Sequence, residues 1–121
     1  MRYLCAVYVE PKAMGSLSPA EGTTLDRDSI AYDETLRRSG HYIVSDALQL
    51  ASTAKTLRVR GGKLSILDGP FAETKEQLGG FILVEARDMD EAVELASKIP
   101  MAKHGTIEVR PIMQISAKPR S

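Results

Sequence analysis

Side chains that could do chemistry are concentrated in one mid-sequence segment, Asp68–Gly80, with the sequence DGPFAETKEQLGG. Its Asp-Gly-Pro start is typical of a turn, because Asp bonds back to the backbone, Gly accepts a positive φ and Pro fixes φ. Loops that a rigid scaffold holds in place often carry functional residues. The residues of this loop that could line a binding site are Asp68, Phe71, Glu73 and Lys75. The alternative is a structured connection with solvated charges.

A second set of candidates, Asp46 and His104, could transfer protons as an acid–base pair. Asp46 interrupts an apolar run, where a carboxylate should be hydrogen-bonded, ion-paired or shifted in pKa. His104 comes just before the last predicted strand, and histidine is the side chain most often used for acid–base chemistry at physiological pH. The alternatives are a structural Asp46 that accepts hydrogen bonds from backbone N–H groups of the Asp68 loop, and a His104 that is only a surface residue. His41, the other histidine, falls at the opposite end of the predicted sheet.

Composition restricts the classes of function. The 121 residues contain 16 basic and 16 acidic side chains, which does not favour binding to nucleic acid or to an anionic membrane. No apolar run is long enough to span a bilayer and the N-terminus lacks a signal-peptide pattern, so a cytoplasmic protein is expected. The single cysteine, Cys5, is predicted to be a buried thiol. No metal-ligand spacing, phosphate loop or dinucleotide fingerprint is present, so no metal or cofactor is expected.

The hydrophobic pattern predicts a single α+β domain over residues 1–121. The predicted strands are Tyr3–Val9, His41–Leu48, Gly80–Ala86 and Thr106–Ile112. One helix opens with a capping box at Ser18 and is regular from Leu25 to Ser39, and the other runs from Asp88 to Pro100. Two glycines between Thr53–Arg60 and Lys63–Leu67 predict an inserted β-hairpin. The order is that of a ferredoxin-like β-α-β-β-α-β fold.

Smaller features are also predicted from local patterns. Residues 11–17 are expected to form a loop, Glu73–Leu78 one or two helical turns, and the tail Met113–Ser121 to fray. Ser29 is the polar member of an otherwise apolar helix face. Its hydroxyl is expected to bond back to the preceding helical turn.

The two predicted helices can cover only one face of the sheet. Tyr3–Val9 and Phe81–Val84 are apolar at successive positions, however, so both faces of these strands are expected to be buried. A second copy of the chain is therefore expected to pack sheet against sheet about a two-fold axis. Cys5, or its neighbours Leu4 and Ala6, should point into that contact.

The Asp68–Gly80 segment resembles the DGPF group of YCII-related proteins. The resemblance extends to Met1–Cys5, Ser39-Gly40, Glu85–Asp88 and Ile107–Pro111. It implies a dimeric α+β barrel and a cytoplasmic bacterial protein of undefined activity. It also implies a sigma-factor-type partner protein, because genes of this group often lie near those of alternative sigma factors.

Many YCII-related proteins carry a His–Asp pair, which implies an enzymatic activity for them. The resemblance places Ser29 at the position of that histidine and Asp46 at the position of the acid. Two interpretations follow. One is a small-molecule acid–base enzyme of lyase or isomerase type, with Asp46 and His104 at the Asp68 loop end of the sheet. The other is a non-catalytic module that binds a small ligand or a regulatory partner.

Overall fold

The computed structural model describes residues 1–119, which form two antiparallel sheets and three α-helices. The strands are β1 (Arg2–Val9), β2 (Tyr42–Ala47), β3 (Lys55–Arg60), β4 (Lys63–Asp68), β5 (Gln77–Glu85) and β6 (Thr106–Pro111). The helices are α1 (Pro11–Gly15), α2 (Pro19–Arg38) and α3 (Met89–Ser97), with short 3-10 helices at Ala51–Thr53 and Pro100–Lys103.

The larger sheet has four strands in the order β2-β5-β1-β6, and β3 pairs with β4 in a separate hairpin. This order, with α2 and α3 as the two crossover helices, is the ferredoxin-like arrangement. The predicted fold class and the inserted hairpin are therefore confirmed. None of the helices formed by residues 1–119 has both the length and the hydrophobicity that a membrane span requires.

Both helices pack on one face of the four-stranded sheet. Leu36 of α2 and Ala92 of α3 join Tyr3, Cys5 and Val84 in one buried cluster. Cys5 is completely buried in this helix-covered core, so it does not point to the other face as one alternative predicted. Side chains alternate along a strand, so Leu4 and Ala6 lie on the open face.

The helix ends follow the predicted signals. Ser18 and Glu21 form the capping box, with the Glu21 N–H donating to Ser18 Oγ at 3.1 Å and the Ser18 N–H to Glu21 Oε1 at 2.9 Å. This double cap starts α2 at Pro19, earlier than the regular start predicted at Leu25. Gly40, with φ of 81°, follows the C-terminal end of the helix.

Two local predictions were wrong. Residues after Glu10 form the short helix α1 rather than a loop, since Pro11 occupies the first helical position. Glu73–Leu78 forms no helical turn, because β5 starts at Gln77, where it pairs with Val9. In the C-terminal tail, residues 113–119 form no helix or strand, and the last two positions of the predicted tail lie outside the described residues.

Candidate functional site

A cavity of about 480 Å³ lies between α2 and the β2–β5 edge of the sheet. Its walls are mostly hydrocarbon, from α2, from β5 and from the segment after α3, and they include Leu25, Ile30, Ile82, Ile99 and Met101. Its polar lining comes from Asp26, Ser29, Asp33, Ser45 and Asp46. An apolar cavity with a few converging polar groups is the usual form of a small-molecule site.

Small residues on α2 and β5 leave this space open. Ser29 stands in the helix stripe where a large apolar side chain would otherwise reach the sheet, and it lines the cavity. Gly79 and Gly80 have no side chains to fill the other wall. A Cβ on Gly80 would lie 2.9 Å from the carbonyl oxygen of Asp46, so the close approach of β2 to β5 requires glycine there.

Asp33, Ser45 and Tyr42 form a hydrogen-bonded chain beside the cavity. Ser45 Oγ donates to Asp33 Oδ2 at 2.8 Å, and Tyr42 Oη lies 2.9 Å from Ser45 Oγ. Because the Ser45 hydroxyl proton is used toward Asp33, Tyr42 is the donor to Ser45. Asp33 is half-buried, and among residues 1–119 its other oxygen, Oδ1, makes no hydrogen bond. The carboxylate is thus held in one orientation with one oxygen free.

The guanidinium of Arg37 stacks over the ring of Tyr42, 4.2 Å from the ring centroid. This cation–π contact helps to hold Tyr42, which is the last member of the hydrogen-bonded chain. Tyr32, also in the cavity wall, donates its hydroxyl proton to the Leu95 carbonyl at 2.7 Å. Burial raises the pKa of Tyr32. Tyr32 is therefore a structural link between α2 and α3 and a poor proton carrier.

Asp46 borders the cavity but differs from its prediction. Its side chain is exposed, and within residues 1–119 its carboxylate accepts no hydrogen bond from the Asp68 loop. The register pairs Asp46 with Phe81, and Phe81 with Ala6. Ser45, the next residue, points to α2, so the Asp46 side chain lies toward the opposite, open face of the sheet.

Ser29 also behaves differently from its prediction. In the described part of the chain its hydroxyl makes no bond to the preceding turn, whereas Thr23 and Thr35 of the same helix do, to Pro19 O at 2.9 Å and Ala31 O at 3.2 Å. The Ser29 side chain instead lines the cavity.

The structure does not bring His104 into the cavity. His104 is exposed after the 3-10 helix Pro100–Lys103. It lies near the start of α2, where the Ser18 cap lowers the pKa of Glu21 and the charge of His104 adds to that effect. His41 is at the other end of β2, with Nδ1 2.8 Å from the Glu85 carbonyl oxygen.

The charged residues of the Asp68 loop also lie outside the cavity lining. Asp68 is 87% exposed and pairs with Lys55 across the hairpin at 2.7 Å, while Phe71 is 76% exposed. Glu73 and Lys75 are exposed as well. The loop contributes to the cavity only through its final glycines, Gly79 and Gly80.

Glu76 of the same loop is an exception to the expected solvated charges. Its Oε1 is buried and has no hydrogen-bond partner among residues 1–119.

The residues that sequence reasoning missed are Asp26, Asp33 and Ser45. Asp26, Ser29 and Asp33 are spaced three and four residues apart, which places them on one side of a helix. The sequence alone therefore could have predicted a row of polar side chains beside the apolar stripe of α2. No comparable pattern marks Ser45, because only the register of β2 directs its side chain toward Asp33.

The profile of the YCII-related domain matches residues 1–116. The chain belongs to the YCII-related family. An uncharacterized protein of Rhizobium meliloti strain 1021 is 34% identical over 114 residues, which are 93% of this chain and 92% of that protein.

A solved structure shares the fold of this YCII-related protein. It is 5-chloro-2-hydroxyhydroquinone dehydrochlorinase (TftG) from Burkholderia phenoliruptrix AC1100, in complex with 2,5-dihydroxybenzoquinone. The TM-score is 0.55 at 18% sequence identity, and the match covers 93% of this chain and 94% of the other. At this identity the similarity shows a common fold.

Proposed function

We propose that this YCII-related protein is a small-molecule acid–base enzyme of lyase or isomerase type, with its site in the cavity between α2 and the β2–β5 edge. The observation that carries the proposal is the Asp33 carboxylate, which Ser45 holds through one oxygen in a largely apolar cavity. A carboxylate in this setting can act as a general base if a substrate proton reaches the free oxygen.

The chemistry assigns Asp33 the first proton transfer. Asp33 Oδ1 takes a proton from a carbon of the substrate, and the electron pair of that C–H bond forms a new double bond. In a lyase reaction the leaving group on the adjacent carbon departs with its bonding electrons. In an isomerase reaction the proton returns to a different carbon.

The proposed site differs from the one expected at the Asp68 loop, and His104 has no role in it. The structural neighbour is a dehydrochlorinase, which supports a lyase-type activity for this chain.

Turnover by wild-type protein and two variants tests the proposal. The substrates are small cyclic compounds with a C–H bond next to a halide or hydroxyl leaving group, followed by halide release and by the absorbance of the new double bond. Asp33→Asn keeps the shape but removes the base, and it should lower turnover by roughly 10²–10⁴-fold. Asp28→Asn, an exposed change on the same helix outside the cavity, should leave the rate unchanged. Equal rates in all three proteins would contradict the proposal.

A non-catalytic binding module is the second candidate. It is favoured by the absence of histidine, lysine and arginine from the cavity lining within the described residues. A metabolite thermal-shift screen should then give a ligand whose effect is lost in Asp33→Ala and retained in Asp68→Ala, with no turnover. A sigma-factor-type partner stays an expectation of the family resemblance, to be tested by pulldown from native extract.

We also propose that the chain functions as a homodimer through the open face of its sheet. Leu4 pairs with Leu83, which pairs with Val44, and this row carries aliphatic side chains across three strands. Val44 is 39% exposed in the single chain. A second copy packed on this face would remove the row from water, which is the usual reason for an obligate dimer.

A further inference from the structure

We infer that the cavity takes a compact molecule without negative charge that donates hydrogen bonds through hydroxyl or amino groups, and that it discriminates against carboxylates and phosphates. This inference rests on the proposed function for the position of the site, and it adds the class of substrate. It comes from the charges of the lining residues.

All charged residues of the lining are acidic. They are Asp26 and Asp33 on α2, and Asp46, whose carboxylate points to the open face of the sheet; the lining contains no lysine, arginine or histidine within the described part of the chain. A site for an anion needs the opposite arrangement, with arginine, lysine or backbone N–H groups directed at the ligand. An anionic ligand would therefore enter a field of like charge, in which close approach is unfavourable.

Within residues 1–119 these carboxylates have no cationic partner. Among the ion pairs of residues 1–119, none includes Asp26, Asp33 or Asp46. The Ser45 hydroxyl satisfies one oxygen of Asp33, and the other oxygen accepts no hydrogen bond from these residues. The cavity thus presents hydrogen-bond acceptors that a ligand donor can satisfy, either neutral or cationic.

The remaining walls limit the ligand to a small apolar body. Leu25, Ile82 and Met101 provide hydrocarbon surface, and the volume of about 480 Å³ is in the range of sites for small molecules. A ring-sized ligand would bury its apolar part against these side chains. Its hydroxyl or amino group would then be directed to the Asp33 side, where the free carboxylate oxygen is located.

The test uses three ring compounds of nearly equal size that differ in charge: benzyl alcohol, benzylamine and benzoate. Binding to the full-length protein is measured by NMR titration, following the backbone amides of Ser29, Gly79 and Gly80, which all line the cavity. Benzyl alcohol and benzylamine should shift these amides at millimolar concentration. Benzoate should bind at least about tenfold more weakly than benzyl alcohol, because of its charge.

Charge-neutralising variants show whether the lining causes this preference. In the Asp26→Asn and Asp33→Asn double variant, the affinity for benzoate should rise toward that of benzyl alcohol. The control Asp28→Asn, which removes an exposed acid of α2 outside the lining, should keep the wild-type preference. Benzylamine distinguishes amino from hydroxyl donors. If benzylamine binds the wild-type protein much more tightly than benzyl alcohol does, the natural ligand is an amine. If the two compounds bind equally, the site accepts either a neutral or a cationic donor.

Two results would overturn the inference. One is benzoate binding as tightly as benzyl alcohol to the wild-type protein, and the other is no shift of the cavity amides by either donor compound. Both readouts are independent of turnover. A protein that binds the donors selectively but converts no substrate would contradict the proposed enzyme and leave this inference intact.

Discussion

The Ser45 hydroxyl donates a 2.8 Å hydrogen bond to Oδ2 of Asp33, and this contact joins the edge strand β2 to helix α2 beside the cavity. It fixes the orientation of a half-buried carboxylate whose other oxygen accepts no hydrogen bond from residues 1–119. The same contact contributes to stability and positions the proposed base, so changing it should affect both.

Replacement of Ser45 by alanine should lower the free energy of unfolding by about 1 kcal/mol, the usual net value of one hydrogen bond. Turnover should fall roughly tenfold, since Asp33 remains but is no longer oriented. Ser45→Thr keeps the hydroxyl and is the matched control. Urea unfolding and initial rates check both effects. A double-mutant cycle with Asp33→Asn in which the two stability effects simply add would contradict the coupling.

Histidine in place of Ser29 should put an imidazole beside Asp33, one helical turn away on the cavity side. The carboxylate should raise the pKa of the introduced imidazole above its usual value of about 6.5. A raised folded-state pKa stabilises the fold below the unfolded-state pKa, and this gain is lost as the pH rises through the folded-state value. NMR titration of the ring protons measures the shift. The shift should disappear when Asp33→Asn is added, and its persistence would argue against the pairing.

Alanine in place of Gly80 should destabilise the protein by roughly 1–3 kcal/mol, as overpacking usually does. Its Cβ would lie 2.9 Å from a backbone oxygen, that of Asp46, and neither strand can move away without losing ladder hydrogen bonds. Gly22→Ala is the control, because its Cβ would meet nothing within 4 Å inside α2. That change should stabilise the protein by about 0.5–1 kcal/mol. Thermal unfolding compares the two, and equal effects would be evidence against the close β2–β5 approach.

The buried thiol of Cys5 should make stability fall in alkaline solution. Burial raises the pKa of the Cys5 thiol to about 11, from an ordinary value of 9.0. Between these values the unfolded chain loses the thiol proton while the folded chain keeps it, so rising pH favours unfolding. The loss across this window should be about 2 kcal/mol. It should be absent from Cys5→Ala when the two proteins are compared by urea unfolding at a series of pH values. Identical pH profiles would show that the thiol titrates normally.

Replacement of Ala6 by glutamate should reduce the yield of soluble, folded protein rather than produce a stable monomer. Ala6 is only 5% exposed and lies on the open face, paired with Phe81 and Glu108. A third carboxylate in this row, beside Asp46 and Glu108, would be buried in the proposed dimer contact. Sedimentation analysis checks the assembly of both proteins. A monodisperse wild-type monomer at micromolar concentration would contradict the dimer.

The order of elements and most helix and strand positions could be predicted from local patterns. Apolar alternation, the Ser18 capping box, the Asp88 cap and the Gly61-Gly62 turn each depend on residues a few positions apart. Such signals act within one element, so they survive in any context that lets the element form. The helical turns predicted for Glu73–Leu78 do not form because Gln77 pairs with Val9, a residue far away in sequence, and that pairing overrides a weak helical preference. The helix α1, where a loop was expected, begins with Pro11 at its first helical position.

The candidate site is formed by residues that are distant in sequence, and only some of them could be predicted from sequence patterns. The sequence identified Ser29 and Asp46, which border the cavity, because each is a polar residue in an apolar run. It placed His104 beside Asp46 from the edge of the sheet alone, and the structure instead puts His104 near Glu21.

Only the tertiary structure decided that Ser45 rather than Asp46 points to α2. A shift of one residue in the register of β2 would exchange the two side chains between the faces of the sheet. The rotation of α2 about its axis likewise decides that Asp33 faces Ser45. The register of β2 and the rotation of α2 are both set by packing of the cluster that contains Tyr3, Leu36 and Val84, because large apolar side chains fill a core only when they interdigitate. Local sequence patterns specify the elements and their order, and the packing of this core places the polar groups that line the cavity.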